Sequence, residues 1–166
     1  MRIRQATVED AANLYALRKT IFDETDNMLF SSTEYGGSEE QEKGQIEWFH
    51  QQSNSCLLLA EQDDELLGLL GLIGGHAPRV AHSAELFVGV KRSHWNKGIG
   101  AQLIQTGIVK GHEIGLSRLH LRVNANNPRA IKLYERLGFQ REGILKNAIR
   151  IDQKMIDQLA MALTPL

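Results

Sequence analysis

The chain has 166 residues, 42% of them hydrophobic and 23% charged, which suits one globular domain with a real core and excludes a disordered or fibrous chain. Its single cysteine, Cys56, rules out an intramolecular disulfide framework, and no apolar run approaches the roughly 18 residues needed to span a bilayer. The net charge of −1 hides an asymmetry: residues 1–60 carry five Lys or Arg against ten Asp or Glu, whereas residues 61–166 carry fourteen against ten. The acidic first part argues against a nucleic-acid partner and would attract a cation.

The opening stretch MRIRQATVEDAANLY lacks the apolar segment of a secretory leader, so a cytoplasmic location is expected, without membrane attachment. Residues 2–6 read as a short strand. Thr7 and Asp10 are spaced as a capping box for a helix running to about Ile21, with Ala11, Leu14, Leu17, Arg18 and Ile21 on one face. Residues 23–38 are polar, contain Gly36-Gly37 and read as a mobile loop. A second helix is expected over about 39–52, with Ile46 and Phe49 inward. CLLLAEQ (56–62) and ELLGLLGLIGG (65–75) read as a hairpin around Asp63-Asp64.

AELFVGV (84–90) is a third long strand, followed by a glycine-containing loop and a helix from about 98 to 113. Within that helix and just beyond it, Gly107, Gly111 and Gly115 read as close packing plus a helix end. SRLHLRV (117–123) alternates polar and apolar residues as a strand does. A helix opened by Asn127 follows, then closing strands over Phe139–Ile151 and Gln158–Leu163. The order β-α-α-β-β-β-α-β-α-β-β predicts an α/β fold with a mixed sheet and helices on its faces, all in a single domain spanning residues 1–166.

The most informative segment is Trp95-Asn96-Lys97-Gly98-Ile99-Gly100-Ala101, where a strand gives way to a helix. Glycine at 98 and 100 lets backbone N–H groups approach an anion at the positive end of the helix. A dinucleotide fingerprint would need a third glycine where Leu103 stands, and a Walker loop would need Gly followed by Lys and then Ser or Thr. About 30 residues later comes NNPRAIKLYERLGF (126–139). Here Asn127 is a good N-cap, Pro128 suits the first helical position and Gly138 suits the helix end. Ala130, Ile131, Leu133, Tyr134 and Leu137 form one apolar stripe.

Together, HWNKGIGAQLI and NNPRAIKLYERLGF resemble the two signature motifs of the GCN5-related N-acetyltransferase (GNAT) superfamily. The resemblance implies the acyl-CoA N-acyltransferase fold and acetyl-CoA as co-substrate. It also implies that the backbone of residues 95–101 holds the pyrophosphate, with Lys97 as a nearby charge. Val88, Gly89 and Val90 would bond the pantetheine through their backbones, and Asn127 would lie near that arm. Tyr134 would be the general acid that protonates the departing thiolate. As structural alternatives, Asn127 is a sufficient helix cap and Tyr134 an ordinary core residue of its stripe. The general base is less determined. Glu85, three residues before Val88, is the first candidate, with Glu34, Glu47 and His82 competing. The family commonly has Gln or Arg and then Gly where this chain has Trp95 and Asn96. Asn96 can adopt the left-handed conformation that glycine allows.

The six histidines show no metal-ligand spacing, so no metal is implied. Cys56, in an apolar strand, reads as packing rather than a nucleophile, which favours direct transfer in a ternary complex. The expected acceptor is a primary amine on a small cationic molecule, recruited by an acidic part that includes Glu34, Glu39, Glu40, Glu42 and Glu47. The alternatives are a protein N-terminus as acceptor, or a non-catalytic acyl-CoA-binding module. Dimers are usual in the family, so a homodimer is expected.

Overall fold

The computed structural model describes residues 1–166. The elements are β1 (Arg2–Gln5), α1 (Ala11–Glu24), α2 (Glu39–Gln51), β2 (Cys56–Gln62), β3 (Glu65–Gly74), β4 (Ser83–Val90), α3 (Ile99–Glu113), β5 (Arg118–Asn124), α4 (Pro128–Arg136), β6 (Gln140–Ile151) and β7 (Lys154–Leu163). Seven strands form one mixed sheet in the order β1-β2-β3-β4-β5-β7-β6. All pairs are antiparallel except β4 with β5.

Two apolar clusters, one on each face, hold the helices to the sheet. Ala11, Leu14, Leu17 and Ile21 of α1 join Ile46 and Phe49 of α2 against Leu57, Leu59 and Leu69. On the other face Ile99, Leu103 and Ile104 of α3 and Ile131 and Tyr134 of α4 pack on Leu58, Leu70, Leu86 and Leu121. α3 lies close to the sheet because Gly107 has no side chain; a Cβ there would stand 2.9 Å from Leu70 Cδ2. Burying Leu70 completely removes a side chain from water at a gain of about 2 kcal/mol. No helix is long and apolar enough to cross a membrane.

The start of α1 is a 3₁₀ turn, Val8–Asp10, closed by Thr7 N–H donating to the Asp10 carboxylate (2.8 Å). Arg4 on β1 grips the same carboxylate with two bonds of 2.7 Å and also meets Glu61 on β2. The Arg4 guanidinium holds Asp10 below its ordinary value of 3.8. A carboxylate whose folded pKa is depressed stabilises the fold above its unfolded value, and loses that contribution as pH falls through the folded value. Asp10→Asn is therefore expected to lower Tm at neutral pH. The gap to the wild type should close as pH falls below the usual carboxylate range; thermal melts from pH 7 to pH 3 check this, and a pH-independent gap would contradict it.

Two boundaries and the character of one loop differ from the sequence reading. α1 continues to Glu24, and the loop that follows is tethered rather than free, as described below. β7 begins at Lys154, four residues before the expected Gln158. Asp152 and Gln153 take positive φ (46° and 66°) and close a two-residue hairpin between Ile151 and Lys154. The hairpin tip extends beyond the packed body, so residues 154–157 show no buried alternation that sequence could reveal.

Candidate active site

The parallel strands β4 and β5 pair only over Ser83–Glu85 with Arg118–His120. Beyond that point β4 stays with β3 as far as Val90, and β5 stays with β7 as far as Asn124, so a wedge opens between them. The phase of the β3–β4 ladder is fixed at both ends: Lys91 donates to Leu67 and Gly75 to Ser83, each at 2.9 Å. Odd residues of β4 therefore bond β3, and the even ones turn their N–H and C=O toward the wedge. Val88 offers its backbone there, and Val90 C=O already accepts the indole N–H of Trp95 (2.7 Å). Gly89 belongs to the β3 ladder; its free face lies under Ile21 and Met28, which a Cβ would meet at 3.1–3.2 Å. Of the three expected backbone contacts, geometry leaves Val88 the most open.

At the mouth of the wedge, Arg92–His94 form a 3₁₀ turn, Asn96 takes φ 61° and Gly98 takes φ 81°, so that α3 can start at Ile99. The first bond of α3 is Gln102 N–H to Gly98 C=O (3.0 Å), and no side chain caps the helix. The N–H groups of Ile99, Gly100 and Ala101 are thus left without helical acceptors. The space in front of them is open, since even a Cβ on Gly98 would meet only Gln102 Nε2, at 3.8 Å. An uncapped helix end with a glycine in front of it suits a pyrophosphate. Lys97 is exposed and has no ion-pair partner. Arg129 of α4 lies flat on Trp95, its guanidinium carbon 3.5 Å from the ring centroid, and Arg92 approaches the same ring at 5.7 Å.

α4 is set by its ends. Asn127 Oδ1 accepts from Ala130 N–H (3.2 Å), and Pro128 follows at the first helical position. At the other end Gly138, with φ 94°, donates to Glu135 C=O, and Phe139 donates to Tyr134 C=O, both at 3.0 Å. This terminus brings the Phe139 ring to 5.7 Å from Tyr134. Tyr134 is 8% exposed, and burial alone pushes its phenol up to about 12. The capping role of Asn127 accounts for its carbonyl and leaves its NH2 free.

Glu85 lies on the opposite face of the sheet. It shares that face with Phe87, whose ring packs with the α1–α2 cluster, and it is exposed. Its register partner across the last paired rung is His120, which sequence reading had not singled out. Burial lowers the His120 pKa, and the Glu85 charge opposes that shift. Among the competing candidates, His82 stands at the closed end of the wedge, its carbonyl accepting from Ser117 (2.9 Å). Glu47 is on the outer side of α2 and Glu34 is tied to Ser31 (2.9 Å). Glu42 is not a solvated charge at all. It is 1% exposed, ion-paired with Arg18 (3.2 Å) and bonded by the Tyr35 hydroxyl.

The loop after α1 crosses the wedge on this face. Glu24 accepts from Arg92 N–H (2.6 Å), Asn27 meets Asn124 of β5 (3.5 Å), and Met28 packs over Gly89. Asn124 is buried and also accepts from Gln158 of β7 (3.1 Å). Tyr134 thus belongs to the α3–α4 face of the sheet, and Glu85 with His120 to the other face. Cys56 is 1% exposed, and burial pushes its thiol up to about 11, so it is no nucleophile at neutral pH.

Residues 14–139 match the family model described as acetyltransferase (GNAT) family. A GNAT-family acetyltransferase of Streptococcus pneumoniae superposes over 99% of both chains with a TM-score of 0.95 and 28% identity. The uncharacterized N-acetyltransferase p20 of Bacillus licheniformis is 29% identical over 64% of this chain and 59% of its own length. Spermidine N(1)-acetyltransferase of Vibrio cholerae is 28% identical over 65% of this chain and 62% of its own. The chain therefore spans less than two thirds of these two curated relatives. A family model covering most of the chain, matched to a split sheet with an uncapped helix at its mouth, places it: the chain belongs to the acetyltransferase (GNAT) family.

Proposed function

We propose that this protein is a single-domain, cytoplasmic N-acetyltransferase, acting as a homodimer, that transfers acetyl from acetyl-CoA directly to a primary amine of a small cationic molecule. The observation that carries this reading is the split between β4 and β5, with a buried phenol on one face of the sheet and Glu85 beside His120 in register on the other. The helix end at Ile99–Ala101 and Lys97 hold the pyrophosphate. Val88 extends the sheet edge to the pantetheine, and Asn127 adds its free NH2. A backbone N–H in this stretch faces the thioester oxygen and stabilises the charge that develops on it.

Glu85, with His120 beside it, takes the proton from an amine whose ordinary pKa is about 10. Tyr134 protonates the leaving sulfur. A phenol at about 12 would be too weak an acid for a solvated thiolate, but the leaving sulfur is not in bulk water. A thiolate kept from water is a stronger base than a solvated one, which favours this transfer.

A small acceptor is favoured over an extended peptide because the loop tethered by Asn27 and Met28 already lies across the acceptor face. The similarity to a spermidine acetyltransferase supports a polyamine-like acceptor, as does the exposed acidic turn Glu39–Glu40 at the start of α2. Incubation with acetyl-CoA and a panel of polyamines, amino sugars, amino acids and short peptides, read by mass spectrometry, is expected to give an acetylated small cationic amine. Products on peptide N-termini alone would replace the acceptor assignment, and binding of acetyl-CoA without any product would reduce the protein to a binding module.

A further inference from the structure

Arg92, Trp95 and Arg129 form a cluster that the backbone cradle does not require. The indole N–H is anchored to Val90 C=O (2.7 Å), which fixes the ring, and the Arg129 guanidinium lies flat against it at 3.5 Å. Arg92 reaches the same ring at 5.7 Å. Neither guanidinium has a carboxylate within ion-pair distance; the nine ion pairs of the chain all lie elsewhere. Glu24 bonds the Arg92 backbone N–H (2.6 Å) rather than its guanidinium. Burial, and then the Arg92 charge, pull Arg129 below its ordinary pKa. Both side chains are exposed, so the two unpaired guanidiniums gathered at one ring are free to receive an anion from solvent.

The helix end already supplies N–H groups for a pyrophosphate, so the pair of guanidiniums calls for a further anion close by. We propose that Arg92 and Arg129, aligned by Trp95, bind the 3′-phosphate of CoA and make the protein selective for CoA over its 3′-dephospho form. This rests on the acetyl-CoA reading above. A phosphomonoester near neutral pH carries close to two negative charges and matches two guanidiniums, whereas each phosphate of the pyrophosphate bridge carries one. The assignment also gives Trp95 a purpose at a position where the family commonly has Gln or Arg. The indole is a platform for Arg129, and with one face covered it is not free there to stack on adenine.

The test is calorimetric titration of the intact protein with CoA and with 3′-dephospho-CoA, for the wild type, Arg92→Gln and Arg129→Gln. The wild type is expected to bind CoA at least about tenfold more tightly than the dephospho form, as charge-assisted bonds to a dianion imply. Arg129→Gln should bring that ratio close to one while leaving dephospho-CoA affinity within about twofold, and Arg92→Gln should move the ratio in the same direction. Equal wild-type affinities, or variants that weaken both ligands alike, would overturn the 3′-phosphate assignment and leave the acetyl-CoA reading standing. Binding of neither ligand would overturn that reading and this inference together.

Discussion

Tyr134→Phe is expected to fold normally, bind acetyl-CoA as the wild type does, and lose about two to four orders of magnitude in turnover, the usual worth of a positioned general acid. The ring would keep its place in the core against Phe139. Its hydroxyl supports nothing else, because burial is the only influence on its pKa and no group in the chain bonds it. A stability loss would therefore not confuse the result. Burial raises the phenol to about 12, so Tyr134 is not expected to lower kcat between pH 8 and pH 10. The check is thiol release at saturating amine together with acetyl-CoA affinity. Turnover unchanged within twofold would leave Tyr134 a core residue and nothing more.

Gly98→Asp is expected to weaken CoA binding by at least about a hundredfold and to lower Tm by a few degrees. Two effects act in the same direction. At φ 81° any side chain costs roughly 1–2 kcal/mol, and the introduced carboxylate stands at the helix end where the ligand's own negative charge must lie. The surroundings can take the added atoms, since the nearest neighbour of a Cβ is Gln102 Nε2 at 3.8 Å. Gly98→Ala separates the two effects, because it keeps the strain and removes the charge, and it should bind much better than the aspartate variant. Calorimetric titration with CoA decides the matter, and affinity retained in Gly98→Asp would move the pyrophosphate elsewhere.

What could be read from sequence follows from how local each cause is. The eleven helices and strands appear in the expected order, because each is specified by its own periodicity and caps. The Asn127 cap and the left-handed Asn96, Gly98 and Gly138 are consequences of a few adjacent residues, and sequence reading anticipated Asn127, Asn96 and Gly138. Facts that depend on which strands lie side by side were beyond that reading. His120 looked like one polar residue in an alternating strand until parallel register placed it beside Glu85. Glu42 looked like one more surface acid, yet half-buried Arg18 of α1 reaches it and Glu42 itself is buried. The stacking of Arg129 on Trp95 joins residues 34 apart in sequence and had no local signal.

The short β4–β5 pairing has a consequence for how the molecule holds together. Only three rungs join the half of the sheet carrying β1–β4 to the half carrying β5–β7, so the strand order is continuous while the hydrogen-bond ladder is not. An extended guest lying along Val88 would take the place of a missing length of strand, and the loop from Glu24 to Met28 would then clasp three layers rather than two. In that arrangement the reactant would act as scaffolding. The chain encodes most of a sheet, and on the proposed reading the last stretch of its seam would be stitched by the molecule it consumes.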